Sequence, residues 1–264
     1  MNTAFIIGNG ESRLIFPIET LQGHGCIYGC NAIYRTHPSL CNRIVAVSPE
    51  MSQELADVKR QNNIAIHTEI IDSNSISRWN YVLESDTHNT RPRNVVHYRY
   101  WTGGKPSKNK KLFEKINHRD FSEAKGSGCS AVLHAAEYGY KNIFMLGFDL
   151  LGAEQWLYRN KEMSRQQNNV YKNTVNYPNR DSMKGYLKYE WLYQLTQTFR
   201  RFPKTNFYFV NRLEYIESNP LLIDYFSFAP NNILLGIYAD LKKHITQEGT
   251  PRWMRIKKGR LFRN

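Results

Sequence analysis

The chain has 264 residues, 41% of them apolar and 13% aromatic, a composition that fills a globular core and excludes a disordered polypeptide. Lys and Arg number 36 against 23 Asp and Glu, and the formal net charge of +13 favours polyanionic partners: nucleic acid, an anionic membrane face or a phosphorylated glycolipid. The apolar runs are of strand length and Met1–Gly8 lacks the basic-then-apolar order of a signal peptide, so the expectation is a cytoplasmic protein with no transmembrane segment.

Phe5-Ile6-Ile7 leads into Gly8-Asn9-Gly10 and reads as a buried strand ending in a tight turn. Ile27-Tyr28-Gly29 and Ile44–Val47 repeat the pattern of a strand followed by small or polar residues. Cys26, Cys30, Cys41 and Cys129 share no metal-ligand spacing and read as reduced, mostly buried thiols. Pro49 opens a helix over Glu50–Gln61 with Met51, Leu55 and Val58 on one face, and Ile64–His67 follows as a strand.

Residues 73–125 are the least regular, with aromatic residues, a basic cluster at Lys105–Lys111 and an edge strand at Val95–Tyr98. Gly126-Ser127-Gly128 opens a helix that buries Ala131, Val132, Ala135 and Ala136. Ile143–Gly147 is the clearest core strand and ends in Phe148-Asp149. A polar, aromatic insertion at about 150–182 reads as a lid. Leu187, Trp191, Leu192 and Leu195 then form one stripe of a helix over Lys184–Phe202, and Phe207–Val210 reads as the last strand. Residues 252–263 carry six positive charges and no acid, and read as a basic tail serving as a nucleic-acid arm or a membrane-surface foot.

Strands alternating with helices predict an α/β fold: a Rossmann-like, mostly parallel sheet flanked by helices, one domain over 1–250 with the lid inserted and the tail at 251–264. Ligands of such a sheet sit beyond the carboxyl ends of its strands. Gly8-Asn9-Gly10, Asn31, Ser48 and Asp149 lie there. Gly126, Ser127 and Gly128 add a helix start, whose free N–H groups and dipole favour a phosphate, with Ser127 as a hydrogen-bond donor. The sequence has no GxGxxG, no GxxxxGK[ST] and no Asp-x-Asp at a strand end, which argues against a dinucleotide enzyme, a P-loop phosphotransferase and an obligatory metal.

Ile6–Ser12, Tyr28–Asn31, Gly126–Gly128 and Ala135–Ile143 running into Gly147–Asp149 resemble the bacterial lipooligosaccharide sialyltransferases of glycosyltransferase family 42, and a related set of phage-encoded DNA-modifying glycosyltransferases. The resemblance covers roughly half the chain. It implies a single Rossmann-like domain of a sialyltransferase variant of the GT-A type. It further implies a lid and metal-independent chemistry on a pyrimidine nucleotide-sugar, UDP- or CMP-linked. By matched position, Asn9 would contact the donor phosphate and ribose, Asn31 the base or sugar, and Ser127 with Gly128 the nucleotide, while Asp149 would stand beside the site as a further catalytic candidate with Asp181 and Arg180. Ser48 stands where the family has asparagine, and Leu151 where it has a lid tyrosine. The family's general-base histidine has no counterpart; Arg180 and Asp181 occupy its place. Asp181 is then the candidate general base, Arg180, Tyr171 and Tyr177 the candidates to hold the leaving phosphate, and CMP-sialic acid a poor donor.

These readings converge on a metal-independent glycosyltransferase. Its leading acceptor is DNA carrying a hydroxymethylated base, as in arabinosyl transfer, acting in the host cytoplasm for a phage-encoded protein. A lipooligosaccharide sugar at a membrane surface is the alternative acceptor. Two further classes stay open: an ATP-dependent enzyme like the archaeal pterin diphosphokinases, which share the Gly-Asn-Gly loop, and a non-catalytic nucleic-acid-binding protein.

Overall fold

The computed structural model describes residues 2–46, 49–61, 69–71, 126–149, 187–227, 232–257 and 260–263. Among the described residues nine strands form one sheet: β1 (Thr3–Ile7), β2 (Cys26–Cys30), β3 (Arg43–Val45), β4 (Glu69–Ile71), β5 (Asn142–Leu146), β6 (Asn206–Val210), β7 (Ile233–Gly236), β8 (Met254–Lys257) and β9 (Arg260–Arg263). Their order is β4-β3-β2-β1-β5-β6-β7-β8-β9. The pairings from β4 through β7 are parallel, and the last two are antiparallel. The expected mostly parallel α/β sheet is the one the chain forms.

A parallel strand in such a sheet is covered on both faces, so its residues are apolar throughout rather than alternately. β1 shows this: Ala4 and Ile6 face one core, Phe5 and Ile7 the other, and all four are buried. The first core is closed by α2 (Ser127–Glu137), α3 (Leu187–Arg201), α4 (Leu213–Glu217) and α5 (Pro220–Phe226). The second lies under α1 (Pro49–Arg60), α6 (Tyr238–Thr246) and the 3₁₀ turns Ile18–Leu21 and Asn31–Arg35. Phe144 anchors that side, its ring stacked 5.3 Å from Phe5 and 4.2 Å from Tyr208. Cys30, Cys41 and Cys129 are buried thiols outside any disulfide, as expected, whereas Cys26 is half-buried.

Two expectations are corrected. Phe207–Val210 is not the last strand, since β7 pairs with it in parallel. β7 has only four residues, Ile233-Leu234-Leu235-Gly236, and so short a run offers little periodicity to read. Nor is 251–264 a free tail. Met254, Ile256 and Leu261 alternate with charges at strand period and pack on the first core, with Met254 fully buried, so this stretch closes the sheet as the pair β8–β9. Its charge obscures its period. The strand expected at Ile64–His67, the edge strand at Val95–Tyr98 and the lid at about 150–182 lie outside the described residues.

One buried polar chain crosses the first core. Arg43 Nη1 donates to the Tyr28 hydroxyl at 2.7 Å, and Tyr28 lies 3.1 Å from His134 Nδ1. A guanidinium only donates, so Tyr28 accepts from Arg43, while the imidazole tautomer sets the direction of its hydrogen bond with His134 Nδ1. Burial, followed by the Arg43 charge, lowers the His134 pKa to about 4. The sign follows: below pH ~6.5 the unfolded chain takes up a proton that the folded chain refuses until near pH 4, so stability falls as the pH drops across that window. Urea titrations of wild type and His134→Phe at pH 7 and pH 4.5 are expected to differ in their acid loss by about 2 kcal/mol, the wild type losing more. Equal losses would remove His134 as the cause.

Candidate functional site

The strand order reverses between β1 and β5. From β1 the chain runs outward through β2, β3 and β4, and then returns to the other side of β1 with β5. Such a reversal leaves a crevice beyond the carboxyl ends of the two strands, where open α/β sheets take their ligands. Gly8-Asn9-Gly10 and Gly147-Phe148-Asp149 are the two segments at that crevice.

Their backbones are in close contact. Gly8 N donates to Leu146 O at 2.7 Å and Gly10 N to Gly147 O at 3.0 Å, carrying the β1–β5 pairing past the strand ends. A Cβ on Gly8 would stand 2.5 Å from Gly147 O, and one on Gly10 would stand 2.5 Å from the Asp149 carboxyl. Gly147 has a φ of +68°, a left-handed value that turns the chain toward Asp149 and strains any side chain. The two glycines of the first loop are thus required by the second loop.

Asp149 ties the crevice together from below. Its carboxylate accepts from Ser12 N at 3.0 Å, from the Ser12 hydroxyl in a short contact, and from Asn211 Nδ2 at 3.3 Å, and its main-chain oxygen accepts from the Tyr215 hydroxyl at 2.9 Å. Tyr238 donates to the Ser12 hydroxyl at 3.2 Å. Burial, reinforced by the Asp149 charge, pushes the Tyr238 phenol well above its ordinary pKa, so it stays a donor at all working pH values. Arg13 is 2% exposed, and its Nη1 donates to the main-chain oxygens of Asn9 at 3.1 Å and Gly10 at 2.9 Å. Burial lowers the Arg13 pKa and the Asp149 charge opposes that shift. The Gly8–Gly10 loop is therefore held from beneath by Arg13, and Ser12, just after it, by Asp149.

What the loop leaves unused is Asn9. Its side-chain oxygen is buried and has no hydrogen-bond partner among the described residues. Buried acceptors are rarely left in that state, because desolvation without a partner costs about 1–3 kcal/mol. A ligand N–H or O–H would satisfy it.

α2 starts beside this loop. Gly126 is its N-cap in an extended conformation, with no side-chain cap. The hydroxyl of Ser127 donates to Asn31 Oδ1 at 2.6 Å, and Asn31 itself stands at a φ of +49° just past β2. The Ser127 hydroxyl thereby orients the Asn31 amide. The flanking glycines answer to packing: a Cβ on Gly126 would stand 2.8 Å from Trp191 Nε1 and one on Gly128 3.0 Å from the Phe148 ring. The N-terminus of α2 keeps its positive dipole end at the crevice all the same.

The structure thus gathers Gly8, Asn9, Gly10, Asn31, Gly126, Ser127, Gly128 and Asp149 at the carboxyl ends of β1, β2 and β5. The carboxylate of Asp149, a catalytic candidate by sequence, is engaged with Ser12 and Asn211. Ser48, Tyr171, Tyr177, Arg180 and Asp181 lie outside the described residues. Sequence reading overlooks Ser12, Arg13, Asn211 and Tyr238. Asn211 was findable, since it follows the Phe207–Val210 strand as Asn31 follows β2. Among the described residues no group of three or more His, Cys, Asp or Glu could hold a metal ion, and no helix is long and apolar enough to cross a membrane.

No protein-family model matches the chain, and no curated protein sequence matches it. Among solved structures, the chain is similar to an alpha-2,3-sialyltransferase from Campylobacter jejuni in its apo form, at 17% identity and a TM-score of 0.39, over 79% of this chain and 75% of that one. It is also similar to the sialyltransferase CstII from Campylobacter jejuni in complex with a substrate analogue, cytidine-5'-monophosphate, at 16% identity and a TM-score of 0.41, over 79% of both chains. At such values the likeness is too slight to transfer a residue's role or an activity.

Proposed function

We propose that the crevice binds a pyrimidine nucleotide-sugar and that the protein is a glycosyltransferase working without an obligatory metal. The observation that carries this reading is the buried Oδ1 of Asn9, without a partner among the described residues and set in a loop at the β1/β5 reversal beside the start of α2. An acceptor at that place suits a ribose hydroxyl or a base amino group, and the helix start suits the phosphate that leaves with the nucleotide. The motif resemblance of Ile6–Ser12 and Tyr28–Asn31 to family 42 supports the choice of a pyrimidine donor.

In this reading Asp181 takes the proton of the acceptor hydroxyl while the bond from the sugar to the donor phosphate breaks, and Arg180 with Tyr171 and Tyr177 steadies the departing nucleotide phosphate. The acceptor proposed is a hydroxymethylated base in DNA. The charge of +13, with six cationic residues and no acid over 252–263, supports a polyanion but serves a lipooligosaccharide sugar equally well. Transfer of labelled sugar to hydroxymethylated DNA or to lipooligosaccharide decides between them.

The donor is tested by thermal shift with CMP, UDP and ATP, with and without magnesium. CMP or UDP without metal is expected to raise the melting midpoint, because a ligand that binds only the folded state stabilises it by mass action. Asn9→Ala is expected to weaken that nucleotide about tenfold, the equivalent of one lost hydrogen bond of about 1.4 kcal/mol. Stabilisation by ATP and magnesium alone would instead indicate diphosphate transfer, and an unchanged affinity in Asn9→Ala would remove Asn9 from the site.

A further inference from the structure

The crevice has a second flank. Ile7, Leu146 and Val210 are paired in one row across β1, β5 and β6, and Asn9 and Arg212 each stand two residues beyond that row. Neighbouring strands lie about 4.8 Å apart, so roughly 10 Å of sheet edge separates the two positions. Arg212 thus stands at the same carboxyl edge as Asn9, on the side away from β2 and Asn31.

The backbone at this point is fixed. Asn211 N donates to Gly236 O at 3.1 Å, which carries β6 one residue past its pairing, and the Asn211 side chain donates to Asp149 and accepts from Arg212 N at 2.8 Å. The guanidinium is not engaged: Arg212 is half-buried, and among the described residues its side chain has no hydrogen bond and no ion pair. Tyr238 marks where that charge acts. Burial and then the Asp149 charge raise the pKa of this phenol, and the Arg212 charge lowers it. The same hydroxyl donates to Ser12, just after the Gly8–Gly10 loop, so the cation lies near enough to act at the foot of the loop.

The crevice therefore has two features that seek an anion, set apart along the edge. The start of α2 is on the Asn31 side, where Ser127 bonds Asn31, and Arg212 is on the β6 side. A half-buried cation with no counter-charge carries a desolvation cost that an anionic ligand offsets, and the forked donors of a guanidinium match a phosphate. One phosphate at the start of α2 leaves Arg212 unanswered. A second phosphate, joined to the first and directed toward β6, answers it.

We propose that Arg212 binds the outer phosphate of a nucleoside diphosphate, so that the donor is a UDP-sugar rather than a CMP-sugar. The inference rests on the crevice being a nucleotide site.

Calorimetric titration of the full chain with UMP and UDP, and with CMP and CDP, all without magnesium, tests it. Each diphosphate is expected to bind about tenfold more tightly than its monophosphate, the scale of one charge-assisted hydrogen bond. Arg212→Gln is expected to erase that advantage while the monophosphates bind as they do to the wild type, and Arg212→Lys to keep part of it. Equal affinities for mono- and diphosphates in the wild type overturn the role of Arg212 and leave the nucleotide reading standing. So does a diphosphate advantage that survives in Arg212→Gln, or a loss in that variant that the monophosphates share equally. If none of the four nucleotides binds, the nucleotide reading itself fails and the inference falls with it.

Discussion

Asp149→Ala is expected to lower the unfolding free energy by about 3–5 kcal/mol, the range for removing one partner from a buried, charged hydrogen-bond cluster. The carboxylate is 6% exposed and accepts three hydrogen bonds. Its loss strands Ser12 N, the Ser12 hydroxyl and Asn211 Nδ2, and it leaves Arg13, 2% exposed, without the negative charge that opposes its desolvation. Asp149→Asn keeps one acceptor oxygen but turns an N–H toward a donor, so about half the loss is expected. Urea denaturation measures both. Nucleotide stabilisation should fall in each variant along with stability, because Ser12 and Arg13 shape the Gly8–Gly10 loop. A catalytic carboxylate would behave differently: Asp149→Asn would fold with wild-type stability and bind nucleotide but turn nothing over. That outcome would assign Asp149 to the chemistry.

The two kinds of residue in this crevice differ in how far the sequence discloses them. β1, β2, β5 and β6 stand out because a strand covered on both faces must be apolar throughout, and each run ends where a small or polar residue begins: Gly8, Asn31, Gly147 and Asn211. α1 and α2 are legible from a proline or glycine start followed by apolar residues at helical spacing. The positions facing a ligand can be found this way, since they follow from strand ends alone. The groups that fix those positions cannot. Tyr238 reaches Ser12 across 226 residues and Asp149 reaches it across 137, and no local pattern marks either contact. The same limit explains the glycines. Gly126-Ser127-Gly128 reads as a phosphate cradle, yet Trp191 and Phe148 are what require its glycines. β8 and β9 fail for another reason: their charges carry the eye past Met254, Ile256 and Leu261, which hold the pair to the core.

Gly8→Ala is expected to cost about 2–4 kcal/mol and to abolish nucleotide stabilisation, the first because overpacking a close-packed site forces backbone shifts. The added methyl would meet Gly147 O at 2.5 Å and Leu146 O at 3.3 Å, and both are main-chain atoms with no rotamer to relieve the contact. Gly147 cannot retreat freely. Its turn at φ +68° places Asp149, and its own oxygen accepts from Gly10 N. Moving it drags the Asp149 carboxylate off Ser12 and loosens the loop that presents Asn9. Gly23→Ala serves as the control for a merely unfavourable glycine conformation. Gly23 also has a positive φ, of +84°, but nothing lies within 4 Å of its added carbon, so its cost is strain alone, about 1 kcal/mol, with nucleotide binding intact. Should Gly8→Ala match Gly23→Ala in stability and keep its response to nucleotide, the close approach of β1 and β5 would not be what builds the crevice.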